Sequence, residues 1–428
     1  GCSDFLEVTN PGAIENPALE NVAYLQLMHD GVLGEFQPAV AWTALFSGMF
    51  TDELRVHHTF SENYEIDERR VGPANATAYM AVFAGLHRAR FMADSIASRY
   101  RNLLGDTVQN DMRYARMVAM GAYSWLLLGE NVCETRINAQ GEPLQPADLF
   151  QGAIERFDLA ITAAQQAKVA AGRITTPAQR DLAIARADSI LNMARVGAAR
   201  AALNLGDNAR AISYAQAVTP AYVDYDNKGF RYDLNYAQVA TSPERRHALP
   251  YYEFISAGGS WVSLTGTGFE NLNDPRVPHE DPAAPGAPTV SGGGQYAVPN
   301  APASFDVWDG TVTGARFKGT GKMRLASAIE AAYILAEAQG PTPANIDFLN
   351  EQRGVGGQAP LVNPSLDEYR AALREQRARE FFIDGHRLGD LRRYEAQYNI
   401  DLWPTGEMYG TGRFFGDEKC WPVPVTEQ

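Results

Sequence analysis

Few residues of this chain stand in arrangements that do chemistry. His57 and His58, with Glu53 and Glu62 nearby, form the one cluster whose composition suggests a metal. Adjacent side chains diverge on a helix or a strand, so neighbouring histidines chelate one ion poorly, and no metal is assigned. His279-Glu280-Asp281 sits among prolines and reads as a solvated loop. His386 and Asp390 have the look of an acid/base pair, but a histidine flanked by Arg and Asp reads better as a fixed hydrogen-bonding post. The sequence has no Gly-rich phosphate loop ahead of a helix, no HExxH, no cysteine cluster and no nucleophile elbow. Carboxylates are plentiful, yet none is marked by its surroundings as a glycosidase pair. Nothing here supports catalysis, and no cofactor is expected.

Binding is better supported. Aromatic rings in loops stack against the apolar faces of sugar rings, while Asn, Asp, Arg and Gln satisfy hydroxyls. Composition nominates Trp261, Tyr296 and Trp308 from a loop-rich middle, with His58, Tyr64 and Arg69 from HHTFSENYEIDERR. For each of these the competing reading is packing into a core.

The elements that must carry these residues are mostly helical. Segments 73–103, 108–130 and 146–167 repeat their apolar residues at helical spacing, and Thr176-Pro177 reads as the start of a long helix reaching Leu205. Met193 to Pro220 reads as a helical hairpin with small residues at Ala211 and Ala215, the packing logic of a tetratricopeptide unit. The pairs 108–130 with 146–167 and 324–339 with 342–354 have the same form. Residues 221–323 differ: they are rich in Gly, Pro, Asn and aromatics, with short strands such as Trp261-Val262-Ser263-Leu264. Their aromatic content argues against a disordered linker. The net charge of −14 and the lack of a concentrated basic patch disfavour nucleic acid and acidic lipid surfaces. No apolar run approaches the roughly 20 residues of a membrane-spanning helix.

The most distinctive stretch is Leu373 to Tyr394, LREQRAREFFIDGHRLGDLRRY. It reads as helix, glycine stop and second helix, with Leu373, Phe381 and Phe382 on one apolar side. Glu375 with Arg379, and Arg377 with Glu380, are spaced to meet on the helix surface. Gly385 can end the first helix in the left-handed conformation. Asp384, Arg387, Asp390, Arg392 and Arg393 then supply a partly buried ion network. A charged run of this kind is more often a solvated face, where exposed pairs contribute about 0–1 kcal/mol each.

The run resembles the C-terminal signature of the SusD/RagB family of outer-membrane nutrient-binding lipoproteins, an Arg/Glu-rich helix followed by an acidic residue, Gly-His-Arg and Asp-Leu-x-Arg. Arg379, Glu380, Gly385, His386, Arg387, Asp390 and Arg393 carry the match. Phe5-Leu6-Glu7-Val8-Thr9-Asn10-Pro11 and Trp421-Pro422-Val423-Pro424 with Glu427 extend it over essentially the whole chain. Gly1-Cys2-Ser3 resembles the end of a lipoprotein signal peptide, with Cys2 as the lipidated residue. The resemblance implies a single domain over 1–428: a mostly α superhelix of tetratricopeptide-like helix pairs. The scaffold spans about 18–220 and 324–396, with an irregular ligand-binding subdomain containing a few short strands at about 221–323. It implies a carbohydrate-binding, surface-exposed outer-membrane protein that captures an oligosaccharide and caps a SusC-like TonB-dependent transporter, with no bond broken. A peptide or other non-glycan ligand, or a tetratricopeptide-like interaction scaffold, are the alternatives. In an exported protein Cys133 and Cys420 are expected to form a disulfide.

Overall fold

The computed structural model describes residues 19–56, 60–137, 141–236, 262–270, 272–277, 321–408 and 411–427. The fold is mostly α with a few short antiparallel strands. Helix α1 runs from Leu25 to Phe50, and α2 from Ser61 to Asp67. A short α3 (Ala76–Ala78) continues through a π-helical turn at Tyr79–Phe83 into α4 (Ala84–Leu104). Then come α5 (Met112–Asn131), α6 (Pro146–Ala171), α7 (Pro177–Asn204) and α8 (Asn208–Gln216). The last four are α9 (Ala328–Gln339), α10 (Pro343–Val355), α11 (Leu366–Glu380) and α12 (Arg387–Tyr398). Strand β1 (Arg55–Val56) pairs antiparallel with β3 (Val262–Ser263), and β2 (Arg231–Tyr236) with β4 (Gly321–Ser327). Among the described residues no helix is long and apolar enough to cross a membrane.

The helices pack in sequence order, α4 on α5, α5 on α6, α6 on α7, α7 on α8 and α8 on α9. Small residues set the spacing. Gly129 of α5 faces the Phe150 ring of α6, where an added Cβ would lie 2.6 Å from the ring. Reciprocally, a Cβ on Gly152 of α6 would lie 2.8 Å from the Trp125 ring of α5. Each glycine is therefore a socket for an aromatic knob. The hairpin read at Met193–Pro220 is the end of α7 followed by α8, with Ala211 and Ala215 buried. The expected helix over 324–339 starts later, at Ala328. Residues 321–327 pair with β2, and Ser327 caps α9 by accepting from the Glu330 amide.

The Leu373–Tyr394 stretch is buried rather than solvated. Its helix stops at Glu380, Gly385 takes φ +85°, and α12 begins at Arg387. Arg379 meets Glu375 at 2.5 Å as its spacing suggests, and also Asp274 at 3.2 Å. Arg377 and Glu380 do not meet. Arg377 reaches forward to Asp390 (2.7 Å), and Glu380 is taken by Arg324 of β4, which also holds Asp384. Arg393 grips Glu337 of α9 and Asp390, while Arg387 grips Asp52 at the end of α1. Arg392 donates to the carbonyls of Gly129, Glu130 and Val132, closing the C-terminus of α5. The turn thus ties together α1, α5, α9 and β4. Removing Arg324 leaves two buried carboxylates short of a partner, so Arg324→Met should lose about 3–5 kcal/mol in chemical denaturation; a loss under 1 kcal/mol would contradict this role.

His386 is the post of that network. Its Nδ1 contacts Asp384, and its Nε2 lies 2.8 Å from Arg200 Nη1 and 3.0 Å from Glu330 Oε1. A guanidinium only donates, so Nε2 is an acceptor and the ring gives Glu330 no proton. Burial, reinforced by the guanidiniums of Arg200, Arg377, Arg324 and Arg393, pushes the imidazole pKa well below its usual value, so His386 is neutral. Burial raises the Glu330 carboxyl from 4.5 to about 7, against the pull of Arg200. The folded protein then holds a proton that the unfolded chain releases, so this group's contribution is complete below pH 4.5 and is lost as pH rises through 7. Glu330→Gln mimics the neutral acid. Its stability relative to the parent should climb between about pH 5 and pH 8 by something on the order of 3 kcal/mol. A difference that does not vary with pH would show that Glu330 is charged throughout.

Cys133 and Cys420 are joined, with sulfurs 2.07 Å apart across 287 residues of sequence. The bond is reinforced by a backbone bridge: the Cys133 amide donates to the Trp421 carbonyl, and the Trp421 amide to Asn131. Trp421 is buried against Phe50 of α1. Cys133→Ser should therefore cost about 2–4 kcal/mol under oxidising conditions and nothing further when reductant is added to the variant. Free thiols at both positions in non-reducing mass mapping would remove the premise.

A candidate ligand groove between α1, α2 and the π-helical turn

A groove of about 880 Å³ opens between α1, α2 and the α3–α4 segment, within the usual range for small-ligand sites. Its floor comes from α1, where Pro38, Trp42 and Phe46 follow one another at four-residue spacing. The Trp42 and Phe46 rings stack with centroids 5.6 Å apart. Opposite them, the π-helical turn Tyr79–Phe83 inserts one extra residue per turn and leaves Met80 55% exposed. Gly85 brings α4 close to α1, with an added Cβ 3.7 Å from Ala39.

The third wall is α2 and the residue before it. Phe60, at the N-cap of α2, is 57% exposed and lines the groove. Glu62 accepts from both the amide and the hydroxyl of Thr77 (2.8 and 2.5 Å), fastening α2 to the start of α3. Asn75 completes the junction, donating to the Glu62 carbonyl and Glu65 while capping α3 through the Ala78 amide. Ser61, Glu62, Asn63 and Thr77 make one rim polar, and Glu35 with Arg88, 3.5 Å apart, makes the other. The result is an aromatic floor between two hydrogen-bonding rims, a surface suited to a ligand with apolar faces and hydroxyl edges.

HHTFSENYEIDERR therefore divides in two. In its first part, Phe60, Ser61, Glu62 and Asn63 line the groove. Its second part holds the C-terminal segment: Arg413 stacks 3.9 Å over the Tyr64 ring, and Asp67 accepts from Arg55 and the Val56 amide. Arg69, expected as a ligand contact, is buried at 2% exposure. Its guanidinium donates to the Pro404 and Glu418 carbonyls and lies over Trp403 and Phe415. His58, Trp261, Tyr296 and Trp308 lie outside the described residues, as does Cys2. The described flanks of 237–261 are tied to α1 and to β1. Tyr236 donates to the Gln37 carbonyl at 2.7 Å, and Val262 pairs with Val56. Among the described residues no group of three or more His, Cys, Asp or Glu is arranged to hold a metal ion.

Trp42, Phe46, Phe60 and Met80 are the site residues that sequence reasoning missed. The available signal was Pro38 inside a long apolar run, together with a phenylalanine just ahead of a helix start.

With fold and groove defined, comparison with solved structures is informative. The fold is that of SusD-superfamily proteins. One from Bacteroides vulgatus superposes with a TM-score of 0.62 over 96% of this chain and 97% of its own, at 14% identity. A laminarin-binding SusD-like protein gives 0.61 over 95% and 96%, at 15% identity. Surface glycan-binding protein A from Bacteroides thetaiotaomicron, solved also in complex with laminarihexaose, gives 0.61 over 96% and 97%, at 16% identity. No protein-family profile matches the chain, and no curated protein sequence matches it significantly.

Proposed function

We propose that this protein is a cell-surface glycan-binding protein that takes an oligosaccharide into the groove between α1, α2 and the π-helical turn. The observation that carries the reading is the groove itself, an aromatic floor of Trp42 and Phe46 with Phe60 and Met80 exposed at its walls and polar residues on both rims. Sugar rings present apolar faces to such a floor and hydroxyls to such rims. Two proteins of the same fold support the class of ligand: one binds laminarin and another was solved with laminarihexaose. Trp261, Tyr296, Trp308 and His58 enter the proposal as further ligand contacts beside this floor. The wider reading is delivery of the captured oligosaccharide to a SusC-like TonB-dependent transporter, with the protein held at the outer membrane by lipid on Cys2. It rests on the Leu373–Tyr394 signature and on Gly1-Cys2-Ser3. Binding and release suffice for this role, without an enzymatic step.

Titration calorimetry with laminarihexaose, other neutral hexasaccharides and oligopeptides tests the ligand class. A saccharide should bind and the peptides should not. Phe60→Ala removes an exposed ring without opening the core and should weaken the saccharide roughly fivefold to tenfold, with Trp42→Ala weakening it at least as much. Peptide binding without saccharide binding, or saccharide affinity unmoved in both variants, would reject the reading.

A further inference from the structure

A second pocket, of about 230 Å³, lies away from the groove, between the C-terminal end of α9 and the outer faces of α11 and α12. Arg370 and Arg374 stand four apart on α11 and both line it. Their guanidiniums lie over tyrosine rings of α12, Arg370 5.1 Å from the centroid of Tyr398 and Arg374 5.8 Å from that of Tyr394. Among the described residues neither arginine has a carboxylate partner within 4.0 Å. Like charges at this spacing disfavour a helix. In a chain of net charge −14, two half-buried guanidiniums without an acid are therefore unusual.

The rest of the pocket offers donors as well. Tyr394 is 1% exposed, and its hydroxyl has no hydrogen-bond partner among the described residues. Burial, with Asp390 and Glu337 adding to it, raises the phenol pKa, so this hydroxyl remains a donor. A buried hydroxyl left unpaired is costly, and it marks a place where an acceptor is missing. The one carboxylate on the wall, Glu337, is already taken: Arg393 grips both its oxygens at 2.8 and 2.9 Å, and Tyr398 leans on it at 3.4 Å. Arg377 and Arg393 balance Asp390 and Glu337 in charge, so the charge of Arg370 and Arg374 is left over. The Tyr369 hydroxyl is spent on the Ala336 carbonyl. Leu366, 45% exposed, and Asn208 stand at the mouth, so the pocket opens to solvent.

From this arrangement we infer a binding site for a small oxyanion, a carboxylate, sulfate or phosphate group, held by Arg370, Arg374 and the Tyr394 hydroxyl. Guanidinium forks match planar and tetrahedral oxyanions and bind them with charge-assisted hydrogen bonds. The group arrives either as a free ion or as the substituent of an acidic sugar, for which the volume leaves room for about one ring.

Calorimetric titration of the full chain with sulfate, phosphate, glucuronate and glucose, at constant ionic strength in chloride, tests it. The wild type should bind at least one of the three anions and not glucose. Tighter binding of glucuronate than of the inorganic ions identifies a sugar substituent as the source; the reverse identifies a free ion. Arg370→Gln/Arg374→Gln should weaken the anion at least tenfold, and Tyr394→Phe by a smaller factor. Arg173→Gln, which removes an exposed charge elsewhere, should change nothing. If no anion binds the wild type, or the Arg370/Arg374 variant binds as tightly while circular dichroism shows it folded, the site does not exist. Equal weakening by Arg173→Gln would reduce the effect to net charge and overturn it too.

Discussion

The structure depends on the burial of an ionic turn. Residues 377–393 place five arginines, three acids and a histidine at the junction of α11 and α12, and nearly all of these side chains are out of water. Charges in that position are tolerable only when each finds an opposite charge or a fixed dipole, because desolvation is otherwise prohibitive. The partners come from every side: Asp52 and Glu53 from the turn after α1, the end of α5 with Glu130, Arg200 from α7, Glu330 and Glu337 from α9, and Arg324 from β4. A network of this kind adds little net stability over a well-packed apolar core, but it accepts only one arrangement of the elements it joins.

Helix α1 links that constraint to the ligand groove. Its C-terminal end is fixed by Asp52, just past the helix, to Arg387, by Ser47 to Asn131 at 2.6 Å, and by Phe50 against Trp421. One to two turns earlier the same helix presents Trp42 and Phe46 to the groove. With α1 held at one end, its aromatic floor has a defined position relative to α2 and the π-helical turn. Preorganised rings lose little on binding, which is how a shallow aromatic surface reaches useful affinity. The disulfide between Cys133 and Cys420 secures the same corner from the C-terminal side.

Much of this was legible in the sequence. Helical periodicity is enough to place α4 to α8, since long apolar repeats and small residues at crossings have few other solutions. The signature stretch announces an ionic turn, and Gly385 its stop. What the sequence could not show was burial. Charged residues carry no mark of being desolvated, and their partners lie far away in sequence: Arg324 is 56 residues from Glu380, and Asp52 is 335 from Arg387. The packing of Arg69 was invisible for the same reason, its acceptors Pro404 and Glu418 lying hundreds of positions downstream. The groove was missed because Trp42 and Phe46 sit in an apolar run that periodicity assigns to core. Trp42 is only half-buried, over a buried Phe46, because of how the π-helical turn faces α1, which no residue pattern in α1 reports.

The central proposal is that the floor of the groove receives the neutral oligosaccharide. A crystal structure of the protein soaked with laminarihexaose tests it most directly. The account requires sugar rings within van der Waals contact of Trp42 or Phe60, with hydroxyls bonded to the Glu62–Thr77 or Glu35–Arg88 rim. Saccharide density elsewhere, with the groove holding only solvent, would contradict it.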